Sequence, residues 1–229
     1  MSGPRDADAP EDRMEVLTYP GGPFQENGYL LICPDSGAAA VVDPGATAPQ
    51  IARDIRSRQL EVEAVFLTHA HLDHIEGLPD IRAVTDAPIF LHPDDRRLFD
   101  AVQAQGAAFG LSVRELPPPD EDLVPGERVG FGSCSFEVRF TPGHAPGHVI
   151  LYSAEDELAL VGDVVFQGSI GRTDLPGGDF QTLMRSIREQ VLTLPDPTRL
   201  FTGHGGQTTV AIERRGNPFL IPHYGGEMA

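Results

Sequence analysis

The chain has 229 residues, 40% of them hydrophobic, and its 34 acidic and 17 basic residues give a formal net charge of −17. This size suffices for one sizeable hydrophobic core, and no apolar stretch approaches the roughly 18 residues that a transmembrane helix needs. The negative charge disfavours nucleic-acid binding, because a polyanion would be repelled. Every basic residue is arginine, which excludes lysine Schiff-base chemistry and a P-loop.

The N-terminal segment, residues 1–13, is rich in Asp, Pro and Ala and lacks the apolar region of a secretory signal. We therefore expect a flexible tail there, a single domain over residues 14–229, a cytoplasmic location and no association with a membrane. Cys33 and Cys134 lie in apolar, strand-like contexts without C-x-x-C spacing. Without a secretion signal, two free buried thiols are expected rather than a disulfide.

Short apolar runs separated by turn residues predict strands along most of the chain. These strands cover residues 14–19, 27–32, 38–42, 63–67, 88–91, 127–131, 135–140, 148–152, 157–161 and 200–202. Periodicity and capping residues predict helices over 47–59, 94–109, 179–191 and 208–215, and the Pro- and acid-rich residues 116–126 predict a surface loop. Two β-rich halves with intervening helices predict an α/β fold in which two packed sheets carry helices outside, an αβ/βα sandwich.

Potential metal ligands follow four of the predicted strands. The first group directly follows the strand at 63–67 and comprises His69, His71, Asp73 and His74. Imidazole and carboxylate groups at this density suit zinc, iron or manganese. His144, Asp163 and His204 follow three later strands, each beside a glycine that permits close backbone approach. Ligands at strand ends are held rigidly, so we expect these segments to converge on a metal site.

The pattern H-x-H-x-D-H, followed by the three later ligands, resembles the metallo-β-lactamase superfamily from about residue 14 to residue 220. The resemblance implies that superfamily's four-layer αβ/βα sandwich of two mixed sheets with helices outside. It implies His69, His71 and His144 in a first metal site, Asp73, His74 and His204 in a second, and Asp163 bridging both. It also implies two divalent cations, foremost zinc, with iron or a zinc–iron pair as alternatives. Asp73 would additionally orient a metal-bound hydroxide and receive its proton.

Within the superfamily, the sequence Gly171-Arg172-Thr173-Asp174 resembles the glyoxalase II and persulfide dioxygenase branches more than the β-lactamases. The length resembles the short, single-domain glyoxalase II-like branch. This resemblance implies hydrolysis of a small-molecule thioester of the acyl-glutathione type. No Arg or Lys follows Arg215, however, so the basic C-terminal extension with which glyoxalase II proteins hold glutathione lacks a counterpart.

Three other activities remain as alternatives. A persulfide dioxygenase would hold a single iron through His69, His144 and Asp163, and the sequence does not distinguish it from the hydrolase. RNA cleavage is disfavoured by the negative charge, and β-lactam hydrolysis by the absence of a secretion signal. The oligomeric state is not indicated.

Residues outside the ligand set have weaker functional indications. The candidates for substrate contact are Phe24, Asn27, Arg172 and His223. Arg172 could instead form a structural ion pair with Asp174, and His223 could belong to a solvated tail. His148 is predicted to support a ligand or to fill the core rather than to bind metal, and His92 to begin a helix.

Overall fold

The computed structural model describes residues 13–221, and within that range the chain forms two six-stranded sheets and a two-stranded ribbon. Residues 1–12 of the predicted tail and the substrate candidate His223 lie outside the described residues.

The strands alternate with turns and helices along the described chain. They are β1 (Glu15–Gly21), β2 (Glu26–Ile32), β3 (Ala38–Val42), β4 (Glu61–Phe66), β5 (Ile89–Leu91), β6 (Glu121–Asp122), β7 (Arg128–Phe131), β8 (Cys134–Phe140), β9 (Val149–Ser153), β10 (Leu158–Gly162), β11 (Val165–Phe166), β12 (Ser169–Ile170), β13 (Arg199–Thr202) and β14 (Thr208–Thr209).

The helices are short. They are α1 (Ala48–Arg58), α2 (Leu72–Ile75), α3 (Leu78–Arg82), α4 (Arg96–Asp100), α5 (Val102–Ala108), α6 (Phe180–Ser186) and α7 (Val210–Gly216), with a 3₁₀ turn at Pro93–Asp95 and a π-helical turn at Ile187–Val191. None of the helices in the described residues is long and apolar enough to cross a membrane.

Both large sheets are mixed. The first has the order β1-β2-β3-β4-β5-β6, antiparallel from β1 to β3 and parallel from β3 to β6. The second has the order β14-β13-β10-β9-β8-β7, in which only β10 and β13 are parallel. The ribbon pairs β11 with β12.

Three apolar clusters define four layers. The central cluster lies between the sheets and includes Leu31, Phe66 and Phe136, each fully buried. The first sheet's other face packs on α1 to α5, and the second sheet's other face packs on α6, the π-helical turn and α7. Each fully buried Leu or Phe side chain contributes about 1.5–3 kcal/mol of transfer free energy. The predicted αβ/βα sandwich of two mixed sheets is thereby confirmed.

The predicted helix over residues 94–109 is interrupted. A 3₁₀ turn, α4 and α5 replace it, and Ala101 between the two helices has φ −86° and ψ 7°. The Gln105 side chain donates to the Leu98 carbonyl at 2.8 Å, which satisfies an acceptor near the interruption. His92 caps the 3₁₀ turn, as expected for a residue at a helix entry. The predicted loop 116–126 contains the short edge strand β6.

The expectation of free thiols is wrong, because Cys33 and Cys134 form a disulfide with Cα atoms 5.9 Å apart. Cys33 follows β2 in the first sheet and Cys134 begins β8 in the second, so the bond joins the two sheets. The cysteines are 101 residues apart in sequence, and only sheet packing brings them together. Sequence spacing could not reveal this pairing.

Candidate metal centre

The potential ligands gather at one edge of the sandwich because β4, β10 and β13 all deliver residues from their carboxyl ends. β4 ends at Phe66 and leads into the first histidines, whereas the parallel pair β10 and β13 leads into Asp163 and His204. The two sheets meet at this edge, where the Val149 backbone N–H donates to the Thr68 carbonyl at 2.9 Å. The fold thus joins segments that are distant in sequence.

Among the described residues, three groups of side chains have the spacing to hold a cation; one of them is Asp43 with His69 and His74, and the other two match the sites expected from the sequence. Of these two, the first comprises His69, His71 and His144, and the second comprises Asp73, His74 and His204; within each group the ligand atoms lie within 4.8 Å of one another. In the first group, His71 Nδ1 is 2.8 Å from His144 Nε2. In the second, His204 Nε2 is 3.4 Å from Asp73 Oδ2.

Asp163 lies between the two groups. Its Oδ2 is 3.3 Å from His144 Nε2 and 3.4 Å from His204 Nε2, and its Oδ1 is 3.4 Å from His74 Nε2. One carboxylate therefore approaches nitrogen atoms of both groups. The structure brings together all seven ligands expected from the sequence.

The chemistry of this cluster fits divalent cations. His69 Nε2, His74 Nε2 and Asp163 Oδ1 are buried without a hydrogen-bond partner among the described residues. Leaving such a polar atom unsatisfied costs about 1–3 kcal/mol. Cations at these positions would remove that cost, and imidazole nitrogen with carboxylate oxygen is the donor set that zinc and iron accept.

The outward ring nitrogens of the histidines are also held. His144 Nδ1 donates to the Arg172 carbonyl at 2.8 Å, and His204 Nδ1 donates to the Phe24 carbonyl at 3.1 Å. A carbonyl accepts but cannot donate, so each Nδ1 carries a hydrogen, and Nε2 is the ring nitrogen that remains to bind a metal.

Burial favours the neutral, ligating form of the first group. Burial, together with repulsion from His144, lowers the pKa of His71 to about 3. Burial and the surrounding histidines lower the pKa of His69 well below its usual value. Histidine binds metal as the neutral imidazole, so these surroundings favour ligation over protonation.

Asp43 is a supporting residue that the sequence analysis did not single out. Its Oδ1 accepts from the Thr68 backbone N–H at 2.7 Å, and its Oδ2 accepts from Thr68 Oγ1 at 2.6 Å and lies 3.1 Å from His74 Nδ1. The carboxylate is thus fully engaged in orienting His74 and the start of the histidine motif. In the sequence, this role was indicated by the position of Asp43 directly after β3, the strand that pairs with β4.

Asp95 is a second supporting carboxylate that the sequence analysis missed. It accepts from the Ala70 N–H at 2.9 Å and from the Gly147 N–H at 2.6 Å, and so connects the loop of His69 and His71 to the loop of His144. Burial raises its pKa to about 6. In sequence it resembles an ordinary acidic residue at a helix start.

His148 contacts the candidate metal centre without belonging to the ligand set. It is fully buried, its Nε2 accepts from the Asp163 backbone N–H at 3.1 Å, and its Nδ1 lies 3.0 Å from Thr141 Oγ1. Both ring nitrogens thus have partners outside the ligand set. This agrees with a supporting role rather than ligation.

Glycines allow the crowded approach of these segments. A Cβ atom at Gly203 would lie 2.0 Å from Asp163 Oδ1 and 2.8 Å from His74 Cε1. A side chain at this position would displace the carboxylate between the two ligand groups.

A cavity of about 350 Å³ opens over the ligand cluster. It is bordered by His71, Leu72, Asp73, Gln105, His144, Asp163, Ser169 and His204, and by the six residues Phe24, Phe109, Phe166, Ile170, Arg172 and Leu175. Two of the substrate candidates, Phe24 and Arg172, therefore line it. Asn27 does not, because its buried side-chain amide donates to the Thr202 and Gly205 carbonyls, both at 2.9 Å.

Comparison with known proteins identifies the class. The profile of the metallo-β-lactamase superfamily matches residues 21–204, which include all seven ligands. The chain belongs to this superfamily and is one of its metallo-hydrolases.

Two curated relatives align over nearly their whole lengths. A probable metallo-hydrolase, YqgX of Bacillus subtilis, is 40% identical over 208 residues, covering 90% of this chain and 98% of the relative. The hydroxyacylglutathione hydrolase GloC of Haemophilus influenzae is 37% identical over 209 residues, with the same coverage.

Two solved structures have the same fold at similar identity. The B3 metallo-β-lactamase BLEG-1 superposes with a TM-score of 0.85 at 37% identity, and TTHA1623, solved in a di-iron-bound form, with a TM-score of 0.81 at 39% identity. In both cases the alignment covers 90% of this chain and 100% of the other.

Proposed function

We propose that the protein hydrolyses a thioester of the acyl-glutathione type with two divalent cations, zinc or iron, held by the seven clustered side chains. The observation that carries this proposal is the position of Asp163, which lies within 3.4 Å of ring nitrogens from both ligand groups. The similarity to the hydroxyacylglutathione hydrolase GloC supports the choice of a thioester.

Bound cations would polarise the substrate carbonyl and lower the pKa of a water molecule from 15.7 to about 7. The chain's own contribution is to orient and to move protons. Asp73 borders the cavity, and its carboxylate oxygen is 3.4 Å from His204 Nε2. From there it can accept a proton from the attacking water and return one to the departing thiolate, so that the products are an acid and a thiol.

Thiol release from S-lactoylglutathione tests the proposal. We expect the metal-loaded protein to release thiol with or without oxygen, and Asp73→Asn to lower kcat by about 10²-fold or more because a proton acceptor and a metal ligand are lost together. Asp86→Asn is the matched control, since Asp86 is an exposed aspartate that does not line the cavity. Absence of thiol release from lactoyl and other acyl thioesters would contradict the proposal.

Measurements of metal and oxygen distinguish hydrolysis from sulfur oxidation. A hydrolase with two cations predicts two metal ions per chain and no oxygen consumption with glutathione persulfide. One iron per chain together with oxygen uptake would instead establish a persulfide dioxygenase.

β-Lactam hydrolysis is a second candidate, supported by the 37% identity to the B3 metallo-β-lactamase BLEG-1 over that protein's whole length. It would use the same ligands, because attack on an amide or a thioester carbonyl requires the same activated water. Parallel assays with a chromogenic cephalosporin and S-lactoylglutathione rank the two activities by kcat/KM.

A further inference from the structure

Away from the candidate ligands His71 and Asp73, the cavity wall formed by the N-terminal half of the chain comprises Phe24, Leu72, Gln105 and Phe109. The side-chain amide of Gln105 is engaged by backbone groups of Ala70, Leu72 and Leu98, which leaves the two phenylalanine rings as the main surface for a ligand. The Phe24 and Phe109 rings meet edge to face with centroids 5.1 Å apart and planes inclined by 80°. Phe109 is 51% exposed, so a ligand group that covers its ring would remove apolar surface from water.

The wall formed by the C-terminal half is mixed in character. Apart from candidate ligands, it comprises the polar residues Ser169 and Arg172 and the apolar residues Phe166, Ile170 and Leu175. The Arg172 guanidinium forms two hydrogen bonds to Asp174, from Nε at 2.7 Å and from an Nη at 2.8 Å, so its charge is already compensated. Among the described residues that line the cavity, no other arginine is present to attract an anionic group.

A thioester whose carbonyl carbon lies over the ligand cluster places its acyl group and its thiol in different parts of the cavity. Amide and hydroxyl groups of the thiol suit Ser169 and Arg172, whereas only an apolar group gains free energy against Phe24 and Phe109.

We propose that the pair Phe24–Phe109 selects substrates with an aromatic acyl group, in contrast to the small hydroxylated lactoyl group. This inference rests on the proposed thioester hydrolysis and specifies its substrate class. Edge-to-face contact among aromatic rings adds to the gain from burial, so an aryl group is preferred over a small aliphatic one.

A series of esters with one thiol tests this selection. The S-acetyl, S-phenylacetyl and S-(4-carboxyphenylacetyl) esters of N-acetylcysteamine differ only in the acyl group. We expect kcat/KM for the phenylacetyl ester to exceed that for the acetyl ester by about tenfold or more, and the added carboxylate to remove the gain. Equal kcat/KM values for the acetyl and phenylacetyl esters would overturn the proposal.

Variants assign the selection to the aromatic pair. Phe109→Ala should lower kcat/KM for the phenylacetyl ester at least about tenfold more than for the acetyl ester, and Phe109→Leu should have a smaller effect. Ile212→Ala is the matched control, because Ile212 is similarly exposed, at 54%, and lies outside the cavity lining. An equal loss for both esters in Phe109→Ala would overturn the role of the pair.

Calorimetric binding separates this inference from the hydrolase proposal. The thioether S-(2-phenylethyl)-N-acetylcysteamine cannot be hydrolysed, and it should bind the wild-type protein more tightly than the S-ethyl thioether does, with the difference reduced in Phe109→Ala. If no ester is hydrolysed but this preference is observed, the thioesterase assignment fails and the apolar subsite stands. If the two thioethers bind equally, the subsite fails whatever the activity.

Discussion

At the scale of single residues, the second ligand group depends on a carboxylate that is not itself among the seven ligands. Asp43 accepts hydrogen bonds from the Thr68 N–H and hydroxyl and lies 3.1 Å from His74 Nδ1. An asparagine at position 43 would have one oxygen and one NH2 group. The NH2 group would then face a neighbouring group that is itself a hydrogen-bond donor, so one of the present hydrogen bonds would be lost.

Asp43→Asn should therefore weaken metal binding by about 10–100-fold, the usual cost of losing a partner of a metal-bound histidine. Competition with a chromophoric chelator measures the affinity. Asp86→Asn makes the same charge change at an exposed position, and its affinity should equal that of the wild type. An unchanged affinity in Asp43→Asn would show that His74 needs no such orientation.

The close approach of Gly203 to Asp163 allows a steric test of the role of that carboxylate. A methyl group there would lie 2.0 Å from Asp163 Oδ1, so Gly203→Ala should displace the carboxylate between the two ligand groups and reduce the metal content per chain. Elemental analysis after gel filtration measures this content. In the control, Gly216→Ala, the added methyl group has no neighbouring atom within 4 Å, and metal content should be unchanged. Full metal content in Gly203→Ala would refute the proposed role of Asp163.

At the scale of elements, local pattern predicted most strands and the positions at which they end. The ligands could be recognised because His69, His71, Asp73 and His74 are concentrated in one short segment directly after a strand. The interruption at Ala101 could not be predicted, because it involves the Gln105 side chain, which also reaches the Ala70 carbonyl 35 residues earlier. Asp43 and Asp95 were missed for the same reason, since their partners come from other elements.

His92, directly after β5, contacts Phe140 at the end of β8, and the contribution of His92 to the free energy of unfolding should depend on pH. Its ring stacks on Phe140, with centroids 4.6 Å apart, and its Nδ1 accepts from the Asp94 N–H at 3.2 Å. Burial lowers the pKa of His92 below its usual value of 6.5. The unfolded chain therefore binds the proton more readily, so this residue's contribution to stability is present above about pH 6.5 and is lost as the pH falls below it.

His92→Asn tests this direction of the pH dependence of stability, because asparagine can accept the same hydrogen bond but does not titrate. We expect the variant to be about 1 kcal/mol less stable at pH 7, owing to the lost ring contact, and the gap to narrow towards pH 5. Denaturant titrations at several pH values measure the free energy of unfolding. Metal release on acidification affects both proteins alike, so the difference isolates His92. A gap that widens on acidification would contradict the assignment.

At the scale of the whole molecule, each half of the chain supplies one sheet and part of the ligand set. The first four ligands follow β4 in one sheet, and His144, Asp163 and His204 follow strands of the other. The candidate centre therefore exists only while the two sheets stay packed. The Cys33–Cys134 disulfide is a covalent connection between those same sheets, from the end of β2 to the start of β8.

Because the disulfide closes a separation of 101 residues, its loss should be costly. The chain-entropy estimate for a loop of this length is about 4–5 kcal/mol, if the bond acts mainly by restricting the unfolded chain. Denaturant unfolding with and without a thiol reductant measures this cost. The reductant should lower the midpoint of the wild-type protein and leave the double variant Cys33→Ser/Cys134→Ser unchanged, at a midpoint close to that of the reduced wild type. A wild-type midpoint that is insensitive to reductant throughout unfolding would mean that the disulfide does not stabilise the packing of the two sheets.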